Sequence, residues 1–325
     1  MRIISPSLDQ WQEFVEKLPD FSFFHLPVWY RVHEQSYPNY QIATKMFQFS
    51  DGVAILIPLM KKTIRGGISC YLSLPNSIYG GFACNVRPSE SQLRKVFEYY
   101  KSLLLLHLEV GAHGICYEEM SHLKRYGFHS FSMAVEMLTL DENYEDIWEN
   151  KYNIKSRNQT RKAIKCGVTI KTGDNDDIAS YYAMYRDAIK RWRQKTDTIR
   201  PLKFYQKLLE YGGSYVKLRL AEYQGNNIAG AVHFYGKNTL YYFCSAMVKE
   251  YGRLCPNNLL QNEVIRDACQ SGLKYYNMLG CAGIRGIERF KESFGARYTE
   301  HRGYVYNSFL LGLANKLKKI RKTAF

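Results

Sequence analysis

Nothing in these 325 residues is apolar for long enough to cross a membrane. The longest apolar run beside a helical pattern, residues 103–106, is far short of the ~20 residues that a span requires. The N-terminus, Met1-Arg-Ile-Ile-Ser-Pro-Ser-Leu-Asp-Gln, has no apolar core of signal-peptide length, so a cytoplasmic protein is expected. None of the eight cysteines belongs to a Cys-x-x-Cys pair, which argues against a zinc site or a disulfide framework. Most stand among apolar neighbours, as in Tyr-Phe-Cys244-Ser, where cysteine behaves as a small hydrophobe. No Gly-x-Ser-x-Gly elbow and no metal-spaced His/Asp set occurs, so no metal and no elbow serine are expected. Acidic residues are scarce too. Thirty Asp and Glu against 45 Lys and Arg leave a formal charge of +15.

What is present is globular: 46% hydrophobic and 23% charged residues. The length exceeds one ordinary core and suits two domains. The positive surplus attracts phosphates, on RNA, nucleotides or anionic lipid, or serves solubility alone. The 27 tyrosines fit a stacking surface or a Tyr-rich core equally.

Along the chain, residues 9–18 and 27–36 read as short amphipathic helices. Strands follow at 41–49 and 53–61 around Ser50-Asp-Gly52, then at 69–74. A breaker-rich loop spans 75–81, a long helix with Ser89 or Ser91 as cap covers 89–109, and strands lie at 114–119 and 133–140. The second half reads more strongly. A basic helix at 153–166 stops at Gly167, and an amphipathic one at 178–194 carries Tyr181, Tyr182, Tyr185, Ile189 and Trp192. A helix opened by Pro201 precedes a three-strand meander at 215–223, 228–235 and 239–246. A helix capped by Asn257 or Asn258, a strand at 274–279, a short helix at 286–294 and a strand at 302–306 complete the order. The fold class is therefore α/β (α+β): mixed, mostly antiparallel sheets flanked by helices.

Four segments in this order, Ser73–Gly81, Arg157–Gly167, Ala229–Tyr235 and Arg289–Gly295, resemble the FemABX peptidyltransferase family and the BioF2-like acetyltransferase domains of the GNAT superfamily. The resemblance covers about residues 1–310. It implies two tandem GNAT-like domains, 1–150 and 151–310, the second catalytic, with 311–325 as a basic amphipathic tail. Known members move an amino acid from an aminoacyl-tRNA onto the peptide of a cell-wall precursor. The family's Phe-Lys pair matches Phe290 and Lys291, its strand tyrosine Tyr242, and its Arg-then-Tyr pattern Arg200 and Tyr205, with Phe204 where a second Tyr would stand. His33 takes the place of an N-terminal lysine that holds phosphate.

The chemistry agrees in outline. Aminolysis of an ester builds an oxyanion, and a fixed cation such as Lys291 lowers that barrier. A Lys291→Ala variant is expected to fold normally and lose turnover. Arg285 and Arg289 suit carboxylates or phosphates of an acceptor. Arg157, Arg161, Lys162 and Lys165 share one broad helix face fit for phosphates or for solvent. Asn257 and Asn258, at a helix start, would offer N–H groups to an anion. The preceding stretch, Tyr251-Gly-Arg-Leu-Cys-Pro256, lacks the Gln/Arg-x-x-Gly-x-Gly/Ala loop that cradles coenzyme A. His233 reads as core or cleft wall rather than as a base, and Cys281 is the one cysteine in a plausible site.

Three readings stay open. The first is transfer from aminoacyl-tRNA, with no bound cofactor, to an amine on a nucleotide- or lipid-linked peptidoglycan or related cell-envelope precursor. The second is an N-acyltransferase that uses acyl-CoA or acyl-carrier protein on an amino sugar or amino acid. The third is an inactive module that binds an anionic ligand. The tail pattern, Phe309, Leu310, Leu313, Leu317 and Ile320 beside Lys316, Lys318, Lys319 and Arg321, fits a peripheral helix at the inner face of a membrane or one docked on the domain.

Overall fold

A computed structural model describes residues 1–63, 69–73, 81–102, 106–111, 119–140, 143–191, 199–281 and 283–309. Most of the loop at 75–81 and of the strand at 114–119, Trp192, and the tail from 310 onward lie outside the described residues. The chain separates into two compact units, Met1–Met133 with His301–Phe325, and Ala134–Glu300.

The first unit opens with β1 (Arg2–Ile4), α1 (Leu8–Glu16) and α2 (Pro27–Ser36). Ser7 starts α1 by accepting the Gln10 N–H, while the Gln10 side chain accepts the Ser7 N–H in return. The two strands expected at 41–49 and 53–61 are each cut in two, giving β2 (Tyr40–Ile42), β3 (Lys45–Gln48), β4 (Ala54–Ile57) and β5 (Met60–Thr63). Pro58 has no N–H for a ladder, so the second strand breaks there. Thr44 breaks the first, its hydroxyl accepting the Leu59 N–H at 3.1 Å. β6 (Ser69–Leu72) and β7 (Ala83–Cys84) follow. One antiparallel sheet then has the order β1-β3-β4-β7, while β2, β5 and β6 pair antiparallel elsewhere.

The helix expected over 89–109 is shorter. α3 (Glu90–Lys101), capped by Ser89, ends early, and residues 106–109 belong to a strand, β8 (Leu106–Gly111), parallel to β6. A continuous apolar run fits a buried strand or a buried helix equally, because periodicity cannot separate them. Phe47, Ile55, Val96 and Phe97 form the centre of this unit's core.

The second unit begins midway along β9 (His129–Thr139) and passes through α4 (Tyr144–Asp146) into a π-helical turn, Ile147–Lys151. α5 (Ile154–Lys165) is capped by the Asn153 side chain and closed by Gly167 at φ +81°. A strand not foreseen, β10 (Thr169–Gly173), precedes α6 (Ile178–Arg191) and α7 (Leu202–Gly212). Then come the meander β11 (Val216–Tyr223), β12 (Asn226–Tyr235) and β13 (Thr239–Met247), α8 (Pro256–Gln270), β14 (Tyr275–Asn277), α9 (Arg285–Glu292) and β15 (Arg297–Asn307).

The sheet runs β10-β11-β12-β13-β14, with residues 137–139 of β9 on the far edge of β14. All pairs are antiparallel except β13 with β14. Helices cover both faces, since neighbouring strand residues point to opposite sides. Gly230 faces Tyr181 of α6 so closely that a Cβ would lie 2.8 Å from the ring, whereas Ala231 packs in the cluster holding Leu260 and Val264 of α8. Residues 303–307 of β15 belong to the first unit and pair antiparallel with β8.

Candidate active site

The parallel pairing of β13 and β14 lasts three residues, ending at Tyr241 opposite Asn277. The residues just beyond, Tyr242–Ser245 on one strand and Met278–Gly280 on the other, line a cavity of about 500 Å³. Two backbone irregularities shape this fork. Phe243 is the extra residue of a bulge against β12, where the register shifts between Val232 and His233. Leu279 adopts φ +57°, a left-handed conformation that costs a branched residue about 1–2 kcal/mol. The side chain of buried Asn277 accepts the Leu279 N–H at 2.9 Å and holds that turn.

Lys291 lies in the cavity wall. It is only 3% exposed, and its Nζ donates at 3.0 Å to the carbonyls of both Leu279 and Gly280. An ammonium has three protons, so one remains for the Cys281 thiol or for a group in the cavity. Burial holds the Lys291 pKa below the ordinary lysine range, while Cys281 and Glu136 pull it back up. Glu136 is itself buried, one carboxylate oxygen having no partner among the described residues, and burial raises its pKa. The short α9 that carries Lys291 is followed by Gly295 at φ +88°, where a Cβ would stand 2.5 Å from Lys151 Cβ. Glycine is thus required where α9 returns to the sheet.

Across the cavity stand Tyr242 and Arg200. The Tyr242 hydroxyl donates to Ser245 Oγ, and burial pushes its pKa up to about 12. Its neighbour Tyr241, at 1% exposure, does not line the cavity. The Arg200 guanidinium lies 4.7 Å from the Phe243 ring centroid and 5.7 Å from that of Phe204. Its Nε is buried without a partner among the described residues. Tyr205 does not reach the cavity; its hydroxyl lies 3.6 Å from Cys244 Sγ, and Tyr181 approaches the same sulfur at 3.0 Å. Phe204 fills space under the Arg200 plane, so the missing hydroxyl is replaced by a stacking surface.

A second cavity of about 550 Å³ shares Gly286 and Phe290 with the first and is lined by Lys155, Gln159, Asn258 and Arg289. Phe290 stands between the two and packs on Phe294, with centroids 5.1 Å apart. Arg289 is exposed at this second cavity; Arg285 is exposed and lines neither. Asn257 borders the first cavity and Asn258 the second, where it donates to Gln159.

Neither Asn257 nor Asn258 caps α8. Cys255, at φ +56°, is the residue before the helix, and Pro256 is its first. Pro256 has no N–H, the Cys255 N–H is taken by Gly252 O, and the Asn258 N–H by Cys255 O. This helix start therefore offers fewer open donors than the sequence suggested.

The basic helix is α5. Arg157 is tied to Glu149 at 3.0 Å, Arg161 lies 5.4 Å over the Trp148 ring, and Lys162 and Lys165 are exposed. His33 sits in the first unit, buried against Trp29 with its Nδ1 2.8 Å from the Trp29 carbonyl, among aromatic rings rather than in a phosphate site. His233 is fully buried, 3.1 Å from the Tyr276 hydroxyl, and burial lowers its pKa to about 3. Reasoning from sequence missed Glu136, Asn277 and the Leu279 backbone, because none belongs to a motif and all depend on strands meeting in space.

Residues 150–292 match the family model described as an acetyltransferase (GNAT) domain. No curated protein sequence matches the chain. Among solved structures, FemX superposes with a TM-score of 0.71 at 13% identity, over 93% of this chain and 97% of that one. The C-terminal domain (DUF2156) of a candidate lysylphosphatidylglycerol synthetase from Agrobacterium fabrum gives 0.59 at 12%, over 95% and 94%. A tandem GNAT protein from the clavulanic acid biosynthesis pathway gives 0.56 at 9%, over 94% and 98%. These identities speak to the fold. The chain therefore shares the fold of these proteins, and its residues 150–292 match an acetyltransferase (GNAT) domain, which supports an acyltransferase.

Proposed function

We propose that this acyltransferase moves an aminoacyl group from an aminoacyl-tRNA to an amine of a peptidoglycan or related cell-envelope precursor, in the cytoplasm. The observation that carries acyl transfer is Lys291, a buried ammonium pinned by two carbonyls at the wall of the fork cavity. Such a cation needs no reorganisation when an oxyanion forms beside it, which is where electrostatic catalysis gains most. The acceptor amine attacks directly and sheds its proton to the departing ester oxygen or to water. Arg200, which lines the same cavity and whose buried Nε has no partner among the described residues, is assigned to an anionic group of the acceptor, and Tyr242 to orienting the acyl carbonyl. Phe290 would separate donor and acceptor cavities.

Support for an RNA donor is the +15 charge and a start of α8 poor in open N–H groups, which suits a pyrophosphate badly. FemX and the lysylphosphatidylglycerol synthetase domain suggest a cell-envelope acceptor by analogy of fold. The domain description as an acetyltransferase favours a second reading, an acyl-CoA-dependent N-acyltransferase. Thermal-shift and transfer assays with charged tRNA, acetyl-CoA and a nucleotide-linked muropeptide separate the two. Stabilisation by charged tRNA, with amino-acid transfer, is expected. Stabilisation by acetyl-CoA with no response to tRNA overturns the first reading.

A further inference from the structure

A third recess, of about 360 Å³, lies between the π turn at Ile147–Lys151 and helices α5 and α8. Tyr144 and Trp148, four residues apart, set their rings 6.3 Å apart at 36°. A guanidinium covers each: Arg266 at 5.0 Å over Tyr144, and Arg161 at 5.4 Å over Trp148. The Tyr144 hydroxyl donates to Oδ1 of buried Asn262 at 2.7 Å, which fixes that ring. A π turn shifts side chains off the regular helical stripe and is frequent at functional sites.

Charge sorts the residues around this recess. Arg266 is paired with Glu263 and Arg157 with Glu149, both at 3.0 Å. Arg161, Lys162 and Lys165 have no carboxylate partner among the described residues and stand along the same helix. Ile164, also lining the recess, is 54% exposed in the midst of this basic face. Flat π surfaces, an exposed apolar side chain and unpaired cations within one helical turn suit a planar ring attached to an anion. That is the chemistry of a nucleotide with an unstacked base.

We propose that this recess binds an unpaired nucleobase of the RNA donor, stacked on Trp148, with Arg161, Lys162 and Lys165 against the adjoining phosphates. This rests on the aminoacyl-tRNA reading and adds where a single-stranded part of that donor is gripped. Because the recess is lined by residues other than those of the fork cavity, it can be tested apart from catalysis.

The test is fluorescence anisotropy with a labelled single-stranded hexaribonucleotide and, as second probe, a blunt RNA hairpin, over a range of salt. The hexamer should bind the wild type more tightly than the hairpin does. Trp148→Leu should weaken it roughly 5- to 150-fold, the range for losing one base–aromatic stack, and Trp148→Phe should recover most of that. Trp148 also touches the core, so exposed Arg161 supplies the independent variant. Arg161→Ala should weaken binding and flatten the slope of log K against log salt by about 0.7, as for one phosphate contact on a single strand. Wild-type affinity and slope in both Trp148→Leu and Arg161→Ala would overturn the recess while leaving the RNA donor intact. Equal affinity for hexamer and hairpin would also overturn it, as binding by charge alone. Failure of the wild type to bind either the hexamer or charged tRNA would overturn the donor reading as well.

Discussion

Replacing Lys291 by methionine separates its two roles. The side chain keeps nearly the same length and apolar stem but loses the ammonium. Two 3.0 Å hydrogen bonds disappear. Leu279 O keeps a second donor, the Glu136 N–H at 3.2 Å, whereas no other donor to Gly280 O occurs among the described residues. Gly280 is exposed, so its carbonyl can turn to water, and the loss is that of hydrogen bonds to a charged group, about 1.5–3 kcal/mol. Part is returned, because methionine does not carry the desolvation that lowers the Lys291 pKa. A net loss of about 1–2 kcal/mol follows, or roughly 2–8 °C in Tm for a unit of this size. The alanine variant should lose somewhat more stability than methionine, since alanine adds a cavity to the same loss.

The catalytic loss should be larger. Removing one preorganised oxyanion donor costs about 3–4 kcal/mol, or 10²–10³ in kcat. The two are separated by urea unfolding followed by single-turnover transfer at a temperature where both proteins are folded. A folded Lys291→Met protein with wild-type kcat removes Lys291 from the reaction and leaves it as a clamp on the end of β14. The pH dependence follows the same shift. Because the folded pKa of Lys291 is lowered, the unfolded chain binds more protons between that value and the ordinary lysine pKa, so this group's contribution to stability rises with pH across that window. In Lys291→Met that alkaline rise should vanish.

Arg200→Lys keeps the charge but loses the planar fork and its stacking on Phe243. KM for the anionic acceptor should rise about tenfold or more with kcat less affected, and an unchanged KM would detach Arg200 from the substrate. His233, neutral and buried with a pKa of about 3, makes the fold less stable as pH falls below 6.5, by about 1.4 kcal/mol per pH unit down to that value. Urea midpoints should therefore fall between pH 6.5 and 5 in the wild type, and by about 2 kcal/mol less in His233→Phe; parallel curves would refute this. Gly295→Ala should lower Tm by several degrees, through a strained φ and a clash with Lys151 worth about 2–3 kcal/mol together, and an unchanged Tm would show that α9 can be re-seated.

Much of the second unit was legible because its signals are local. Asn153 and Gly167 bound the basic helix, Gly225 and Gly236 mark the hairpins, and the Phe290-Lys291 pair stands on a short helix as expected. The misreadings come from interactions between distant segments. β8 was hidden in an apolar run that also suits a helix, and β10 is a polar edge strand with little pattern of its own. The cap of α8 was assigned to asparagines by residue preference, but a left-handed Cys255 before Pro256 had already ended the loop. His33 could be aligned with a phosphate-holding lysine, yet its ring is packed into an aromatic cluster of Trp29, Tyr37 and Tyr40.

By itself the sequence determined what depends on composition and short range. It set the charge of +15, most of the helix and hairpin positions of the second unit, and the places of Lys291, Tyr242 and Arg200 within their segments. Only the tertiary structure decided what those residues face. Lys291 becomes a buried, pinned ammonium because β14 ends in a left-handed Leu279 whose carbonyl, with that of Gly280, points at α9. Tyr242, and not Tyr241, reaches the cavity because a bulge at Phe243 and the end of parallel pairing open the fork there. Both outcomes come from residues far apart in sequence competing for the same backbone carbonyls and the same space, and no local pattern records that competition.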